Sequence, residues 1–413
     1  MANSDVVAGL DMGSGRVTCV IGAADAETGA MRALAGAVAP CRGLKGGVVT
    51  NIPEAARAVT EAVERAEKAC KQRVGGVYLG VRGSHLESLN SRGRYSIART
   101  DKQITQEDVA AVIENAKAMN ISNDREILHV LPQGFGLDRQ RGVPNPIGME
   151  GALLEVEVHV VTASTSHLNN LIKAVAQAGF DIVDDPIYGL LALSEIASAP
   201  DERELGVLVV DFGGQSVSVG IYSEGWIRFS KDIAVGADFI TSDLARGLGT
   251  SMPTAEKLKI EHGIAHPRLV NGDGDIQYPL MDGRTTRTVK ASTMMEYVLP
   301  RVEQIFTAVA DEVANSGFAD VPVNAVLTGG GAQLKGMLEA AEQILGVPVR
   351  LGTPNPQVVS APDDLLAPAY ATALGLILYP HAQASWLGGA GGAAGRKGAG
   401  IVRRAKSFIE DLF

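Results

Sequence analysis

One pattern occurs twice in this chain, and it constrains the fold more than any other feature. Residues 6–10 and 17–22 are short apolar runs on either side of Asp11-Met12-Gly13-Ser14-Gly15-Arg16. The same order of strand, acidic-glycine turn and strand returns with residues 206–210, Asp211-Phe212-Gly213-Gly214-Gln215-Ser216 and residues 217–222. A repeat on this scale predicts two related lobes facing each other across a cleft. The length, 413 residues, exceeds what one hydrophobic core supports and agrees with that division.

Each glycine turn brings backbone N–H groups close to whatever lies in the cleft, and its carboxylate can hold a magnesium ion through water. Taken singly, such a turn is better explained as an exposed hairpin that needs glycine for positive φ. Two apposed copies favour phosphate binding, with Asp11 and Asp211 around one metal. A third element, Thr328-Gly329-Gly330-Gly331, follows the apolar run 323–327 and precedes a predicted helix over 333–345. Backbone and helix dipole there can approach a nucleoside or phosphate.

Between these landmarks the periodicity alternates between strand and helix. A strand over 31–39 precedes a helix over 53–72, whose Ala55, Ala56, Val59, Ala62, Val63 and Ala66 share one face, and then a strand over 74–81. Residues 82–157 read as an inserted subdomain, with a capping box at Thr105 to Asp108 opening a helix through 119 and strands over 127–135 and 152–162. A helix over 164–178, a strand over 180–183 and a helix over 186–197 follow. The second half predicts helices over 237–248 and 253–262, a polar loop to about 290, and helices over 292–315 and 367–378. The expected organisation is a first-lobe core of 1–81 and 158–200 with its insertion, and a second-lobe core of 201–245 and 323–385 with a smaller subdomain over 246–322. A glycine-rich linker over 386–400 and an amphipathic helix over 401–413 complete it.

That last segment carries Ile401, Val402, Phe408, Ile409, Leu412 and Phe413 on one stripe, with Arg403, Arg404 and Lys406 beside it. Its basic surplus reverses the sign of a chain whose net charge is -10, which suits an anionic membrane surface. The alternative is a terminal helix packed on the protein itself or in a partner's groove. One short helix binds lipid weakly, so attachment calls for several copies acting together. The same net charge argues against nucleic acid as a partner. Three cysteines without metal-ligand spacing suit a reducing cytosol, and neither a signal pattern nor a spanning apolar run is visible.

The three glycine loops, in this order, resemble the phosphate and adenosine loops of the actin, hexokinase and Hsp70-like ATPases. Within that superfamily the match narrows to the bacterial cell-division FtsA family. It is carried by Arg42-Gly43-Leu44-Lys45-Gly46-Gly47-Val48, Leu128-His129-Val130-Leu131-Pro132-Gln133, Asp201-Glu202-Arg203-Glu204-Leu205-Gly206, the stretch Ala255 to Gly263, and Val326-Leu327-Thr328-Gly329-Gly330.

The resemblance implies an α/β, two-lobed actin-like ATPase fold with a small inserted α/β subdomain in the first lobe. It implies ATP and Mg2+ as ligands and hydrolysis that is slow at most. Asp11 and Asp211 would be the magnesium-side carboxylates; Gly13, Ser14, Gly15 and Arg16, with Gly213, Gly214, Gln215 and Ser216, would be the phosphate loops. Gly329, Gly330 and Gly331 would face adenosine, with Glu256 and Lys259 flanking base and ribose unless they form an exposed, mixed-charge helix face. Asp185 would position the attacking water, or else cap the following helix. Arg301 on the long helix would lie near a docking site for the FtsZ C-terminal tail. Further implied partners are other copies of the chain, the cytoplasmic face of the inner membrane at the division site, and later division proteins. The second phosphate loop departs from the family's Gly-Gly-Gly-Thr followed by an acidic residue, since Gln215 adds bulk and Ser218 lacks the carboxylate. A pilus-assembly adaptor or a small-molecule kinase of the same superfamily is the alternative.

Overall fold

The computed structural model describes residues 6–25, 30–270 and 272–387. Of the predicted linker over 386–400, residues 386 and 387 close the last described helix, and residues 388–400 together with the amphipathic helix over 401–413 lie outside the described residues. The chain opens with an antiparallel meander, β1 (Val6–Met12), β2 (Arg16–Ala24) and β3 (Met31–Pro40). A minimal hairpin of β4 (Leu44–Lys45) and β5 (Val48–Val49) leads into α1 (Ile52–Cys70). Asn51 caps this helix by accepting from the Glu54 N–H, and Lys71 ends it in the left-handed region. Its alanine and valine face is buried, as the spacing of those residues requires. The next strand, β6 (Gly76–Val81), pairs parallel to β1 and is buried along its whole length. A strand covered on both faces can be apolar throughout.

The insertion builds its own sheet from β7 (Glu87–Ser96), β8 (Arg125–Leu137), β9 (Gln140–Val143) and β10 (Leu153–Ser164), in the order β7-β10-β8-β9. Against it lies α2 (Gln106–Lys117), opened by a capping box in which Thr105 and Asp108 satisfy each other's backbone N–H. Ile104, Val112, Leu154, Val156 and Val158 form a separate core. The short β9 was not expected; its sequence is polar, and it is held by pairing with β8.

After α3 (Thr165–Gln177) comes β11 (Ile187–Tyr188), then α4 (Gly189–Ala197) and α5 (Pro200–Leu205). The helix expected from 186 starts at Gly189, because Ile187 and Tyr188 pair with Gly80 and Val81 at the edge of the first sheet. The strand expected over 180–183 reduces to a single bridge between Val77 and Ile182.

In the second lobe β12 (Val207–Phe212), β13 (Val217–Ser223) and β14 (Trp226–Ile233) repeat the opening meander. The helices α6 (Ala237–Leu248) and α7 (Met252–His262) follow. The expected polar loop contains a hairpin, β15 (Asp275–Pro279) with β16 (Thr286–Lys290), which α8 (Ala291–Asn315) follows. Tyr278 and Val289, with Ile276 packed beside them, anchor it to the second-lobe core, while most of its other positions are polar and show little periodicity. The last elements are β17 (Asn324–Thr328), α9 (Met337–Leu345), β18 (Val349–Leu351) and α10 (Ala371–Leu387). Both α9 and α10 begin four residues later than expected, because 3-10 turns at Gly331–Gln333 and Pro368–Tyr370 occupy their predicted starts.

The two central sheets have one plan, β11-β6-β1-β2-β3 and β14-β13-β12-β17-β18. In each, the strand ending at the acidic turn has an antiparallel hairpin partner on one side and a parallel strand on the other. The repeat in sequence is therefore a repeat in topology.

A polar seam joins the insertion to β14. Ser88 Oγ donates to the Ser230 carbonyl at 2.6 Å, Asn90 Nδ2 to the Arg228 carbonyl at 2.9 Å, and His159 sits 2.8 Å from Ser230 Oγ through Nε2. Burial pushes His159 down to about 4, helped by the nearby His129, and burial alone does the same to His129. Both rings are thus neutral when folded and take up protons more readily when unfolded. Their contribution to stability is present above their ordinary value of 6.5 and is lost as pH falls toward 4. Urea unfolding at pH 7 and pH 5 is expected to give a lower midpoint at pH 5, and His159→Gln should shrink the difference. Equal wild-type midpoints would refute the assignment.

Candidate nucleotide cleft

A cavity of about 680 Å³ opens between the lobes. It is lined by both acidic-glycine turns, the third glycine loop, the facing sides of α6 and α7, and the start of α10. Asp11 and Asp211 stand at the C-terminal ends of β1 and β12, where an open α/β sheet presents its crevice. Every predicted loop residue lines the cavity, namely Gly13, Ser14, Gly15, Arg16, Gly213, Gly214, Gln215, Ser216, Gly329, Gly330 and Gly331.

Glu256 and Lys259 line it too, although not as an exposed pair. Lys259 is buried, its Nζ 2.7 Å from Glu256 Oε2 and donating to Thr241 Oγ1 at 2.9 Å and to the Ala237 carbonyl at 3.2 Å. The pair fixes α7 on α6 and leaves Glu256 partly open to the cavity.

Gly329 shows why its loop must be glycine. Its φ is +87°, and a Cβ there would come within 2.3 Å of Asp211 Oδ1 and 2.7 Å of the Phe212 carbonyl oxygen. The parallel pairing of Asp211 with Thr328 forces this approach.

The bulk of Gln215 is used across the cleft. Its Oε1 accepts from the Gly46 N–H of the first lobe at 3.0 Å, while its Nε2 donates to Asp238 Oδ2 of the second at 3.0 Å. Ser14 Oγ accepts from the same Gly46 N–H at 2.9 Å. Ser218, where the family carries an acid, is buried and faces Asp232 across the strand pair. A carboxylate is therefore present near that position, supplied by β14.

Arg82 was not anticipated. Its Nη2 lies 2.9 Å from Asp11 Oδ1 and its Nη1 3.1 Å from Asp211 Oδ2, so one buried guanidinium spans the two carboxylates. Nη2 also donates to Thr372 Oγ1 at 3.0 Å. The contact with Asp11 is ionic, because Asp11 Oδ1 has no aligned hydrogen bond among the described residues. Burial raises the Asp11 pKa, and Arg82 opposes that rise. For Arg82 itself burial works against the charge but is outweighed by Asp11, Asp211 and Asp232, which hold it firmly protonated. The available signal was position, an arginine at the C-terminal end of the buried strand next to β1.

The expected magnesium position between Asp11 and Asp211 does not fit this arrangement, since the guanidinium fills it. Among the described residues no group of three or more His, Cys, Asp or Glu side chains is placed to hold a metal ion.

Two expected residues lie elsewhere. Asp185 is exposed and does not line the cavity. Nor does it cap α4, whose first residue is Gly189 with Tyr188 before it. Arg301 on α8 is partly exposed, forks onto Asp243 of α6 at 2.6 and 3.1 Å, and lies over the Phe239 ring.

Two lobes of one topology, an insertion in the first, and three glycine loops converging on the cleft define an actin-like ATPase fold. Solved structures of the same shape include the "PilM-PilN type IV pilus biogenesis complex", with a TM-score of 0.66 at 17% identity over 92% of this chain and 99% of that one. MreB5 of Spiroplasma citri bound to ADP has a TM-score of 0.50 at 12% identity, covering 92% of this chain and 97% of that one. At such identities the likeness shows fold alone.

The chain belongs to the FtsA family of cell division proteins. The family model "Cell division protein FtsA" matches residues 208–375, and "SHS2 domain inserted in FTSA" matches residues 83–162. The chain is 36% identical over 375 residues to "Cell division protein FtsA" of Pseudomonas aeruginosa, covering 91% of this chain and 89% of that protein. It is 34% identical over 412 residues to that of Neisseria meningitidis, covering 98% of both, and 32% identical over 382 residues to that of Escherichia coli K12, covering 91% and 90%. Among the described residues no helix is long and apolar enough to cross a membrane.

Proposed function

We propose that this protein binds ATP in the cleft, self-associates on the cytoplasmic face of the inner membrane at the division site, and tethers FtsZ there while helping to recruit later division proteins. The observation that carries the reading is the convergence of three glycine loops, from both lobes, on one cavity in a chain of the FtsA family. A nucleoside triphosphate bridging those loops would act as a conformational ligand that favours the closed arrangement of the lobes. Gln215, held by Asp238, gives that closure a contact of its own to Gly46 of the first lobe. Hydrolysis is slow in this reading, since Asp185, the residue assigned to the attacking water, does not line the cavity.

Membrane attachment rests on the stripe and basic residues of 401–413, with a glycine-rich tether before them. Weak lipid affinity per helix makes self-association part of the mechanism. For the FtsZ tail we propose the α6–α8 surface around Arg301 and the partly exposed Phe239.

The test is co-sedimentation with anionic liposomes of the full chain and of a chain ending at residue 395, each with ATP and with ADP. Pelleting of the full chain alone, stronger with ATP, is the expected result. Equal pelleting of both, or of neither, would remove the role given to the terminal helix.

A further inference from the structure

Arg82 stands where an actin-like cleft is expected to keep its divalent cation, and the surroundings are built around it. Its backbone is clamped from two sides. The following N–H, of Gly83, donates to Asp232 Oδ2 at 2.5 Å, and the Gly46-Gly47 turn comes so near that a Cβ at Gly47 would lie 2.1 Å from the Arg82 carbonyl oxygen. Asp232 is itself fixed by Tyr188, whose hydroxyl donates to Oδ1 at 2.6 Å. With the backbone held, the guanidinium reaches both turn carboxylates and Thr372 at once.

The energetics favour leaving it there. A buried guanidinium without partners costs several kcal/mol, and so does each buried carboxylate. Here one cation lies in ionic contact with Asp11 and Asp211 together, with only 12% of its side chain exposed. Placing a hydrated magnesium between the same two carboxylates would require expelling that guanidinium, because the ion keeps several waters and its octahedral shell is wider than a planar cation. Arginine also presents its donors in a fork suited to phosphate oxygens. Arg16, close enough to Gly330 that a Cβ there would meet its Nη2 at 2.7 Å, adds a second guanidinium on the same side.

We infer that Arg82 replaces the divalent cation of this cleft, so that the site takes a nucleoside triphosphate without magnesium. This rests on the nucleotide-binding reading above, and the two can fail separately.

The test is the affinity of the full chain for a fluorescent ATP analogue in magnesium and in EDTA. The wild-type affinity is expected to change by less than about threefold, whereas Arg82→Ser, which leaves two facing carboxylates, should bind at least about tenfold more weakly in EDTA than in magnesium. Arg82→Lys keeps a cation and should stay nearer the wild type. A nucleotide-free arm uses thermal unfolding, in which magnesium should raise the Tm of Arg82→Ser and leave the wild type where it was. That arm also shows whether the variant is folded. A wild-type affinity that falls about tenfold or more in EDTA would overturn the inference while leaving nucleotide binding intact. Indifference of both proteins to magnesium would overturn the role of Arg82. No binding in either buffer would refute the nucleotide reading itself and this inference with it.

Discussion

Gly329→Val is expected to weaken ATP binding by about a hundredfold or more, close to 3 kcal/mol. Two costs combine at this residue. A β-branched side chain at φ +87° is strained by about 1–3 kcal/mol. Its Cβ would also overlap Asp211 Oδ1 and the Phe212 backbone, and that backbone cannot retreat while β12 and β17 stay paired. The loop would have to leave the cavity wall, taking Gly330 and Gly331 with it. Gly346→Val is the control, for Gly346 has φ +72° with nothing within 4 Å of its Cβ position and does not line the cavity. Isothermal titration calorimetry on both variants decides the matter. Unchanged affinity in Gly329→Val would mean that the third glycine loop is not part of the binding site.

Gly375→Val should have the larger effect on stability, a loss of about 3 kcal/mol or more. Gly375 lies in α10 where it crosses α4, and a Cβ there would fall 2.0 Å from the Ala192 carbonyl oxygen and 2.4 Å from its carbon. Helix propensity alone predicts the opposite sign, since glycine ranks below valine in a helix interior and the exchange would gain on the order of a few tenths of a kcal/mol. The clash wins because backbone meets backbone, and relief requires parting the two helices that belong to the largest core. Urea unfolding of the variant against the wild type would show it; an unchanged midpoint would contradict the close crossing.

Much of the cleft is legible in the sequence. Asp11 to Arg16, Asp211 to Ser216 and Thr328 to Gly331 are contiguous motifs, each on a strand end whose pattern of residues is plain, so their placement followed from local sequence. Helices with a clear stripe, such as α1, α6 and α8, fell within a residue or two of expectation. The starts of α4, α9 and α10 did not. There Ile187 and Tyr188 joined a sheet edge and two 3-10 turns intervened, choices made by neighbours distant in the chain.

Asp185 and Arg82 divide the two kinds of information most clearly. The family resemblance assigns Asp185 by its place along the chain, just before a predicted helix start; the helix begins at Gly189, and Asp185 is exposed. Arg82 carries no motif. It matters because β6 lies beside β1, and because the lobes bring Asp211 to meet a side chain 129 positions earlier in sequence. Gln215 is similar, a departure from a glycine pattern until Gly46 and Asp238 are seen on either side of it.

The sequence alone therefore determined the repeat, the glycine loops and the two carboxylates, since backbone conformation and strand patterning are local properties of residues near one another. Only the tertiary structure decided what stands between those carboxylates. Electrostatic partnership depends on distance through space, and a cation contributed by a third segment becomes visible only when all three segments have been brought together.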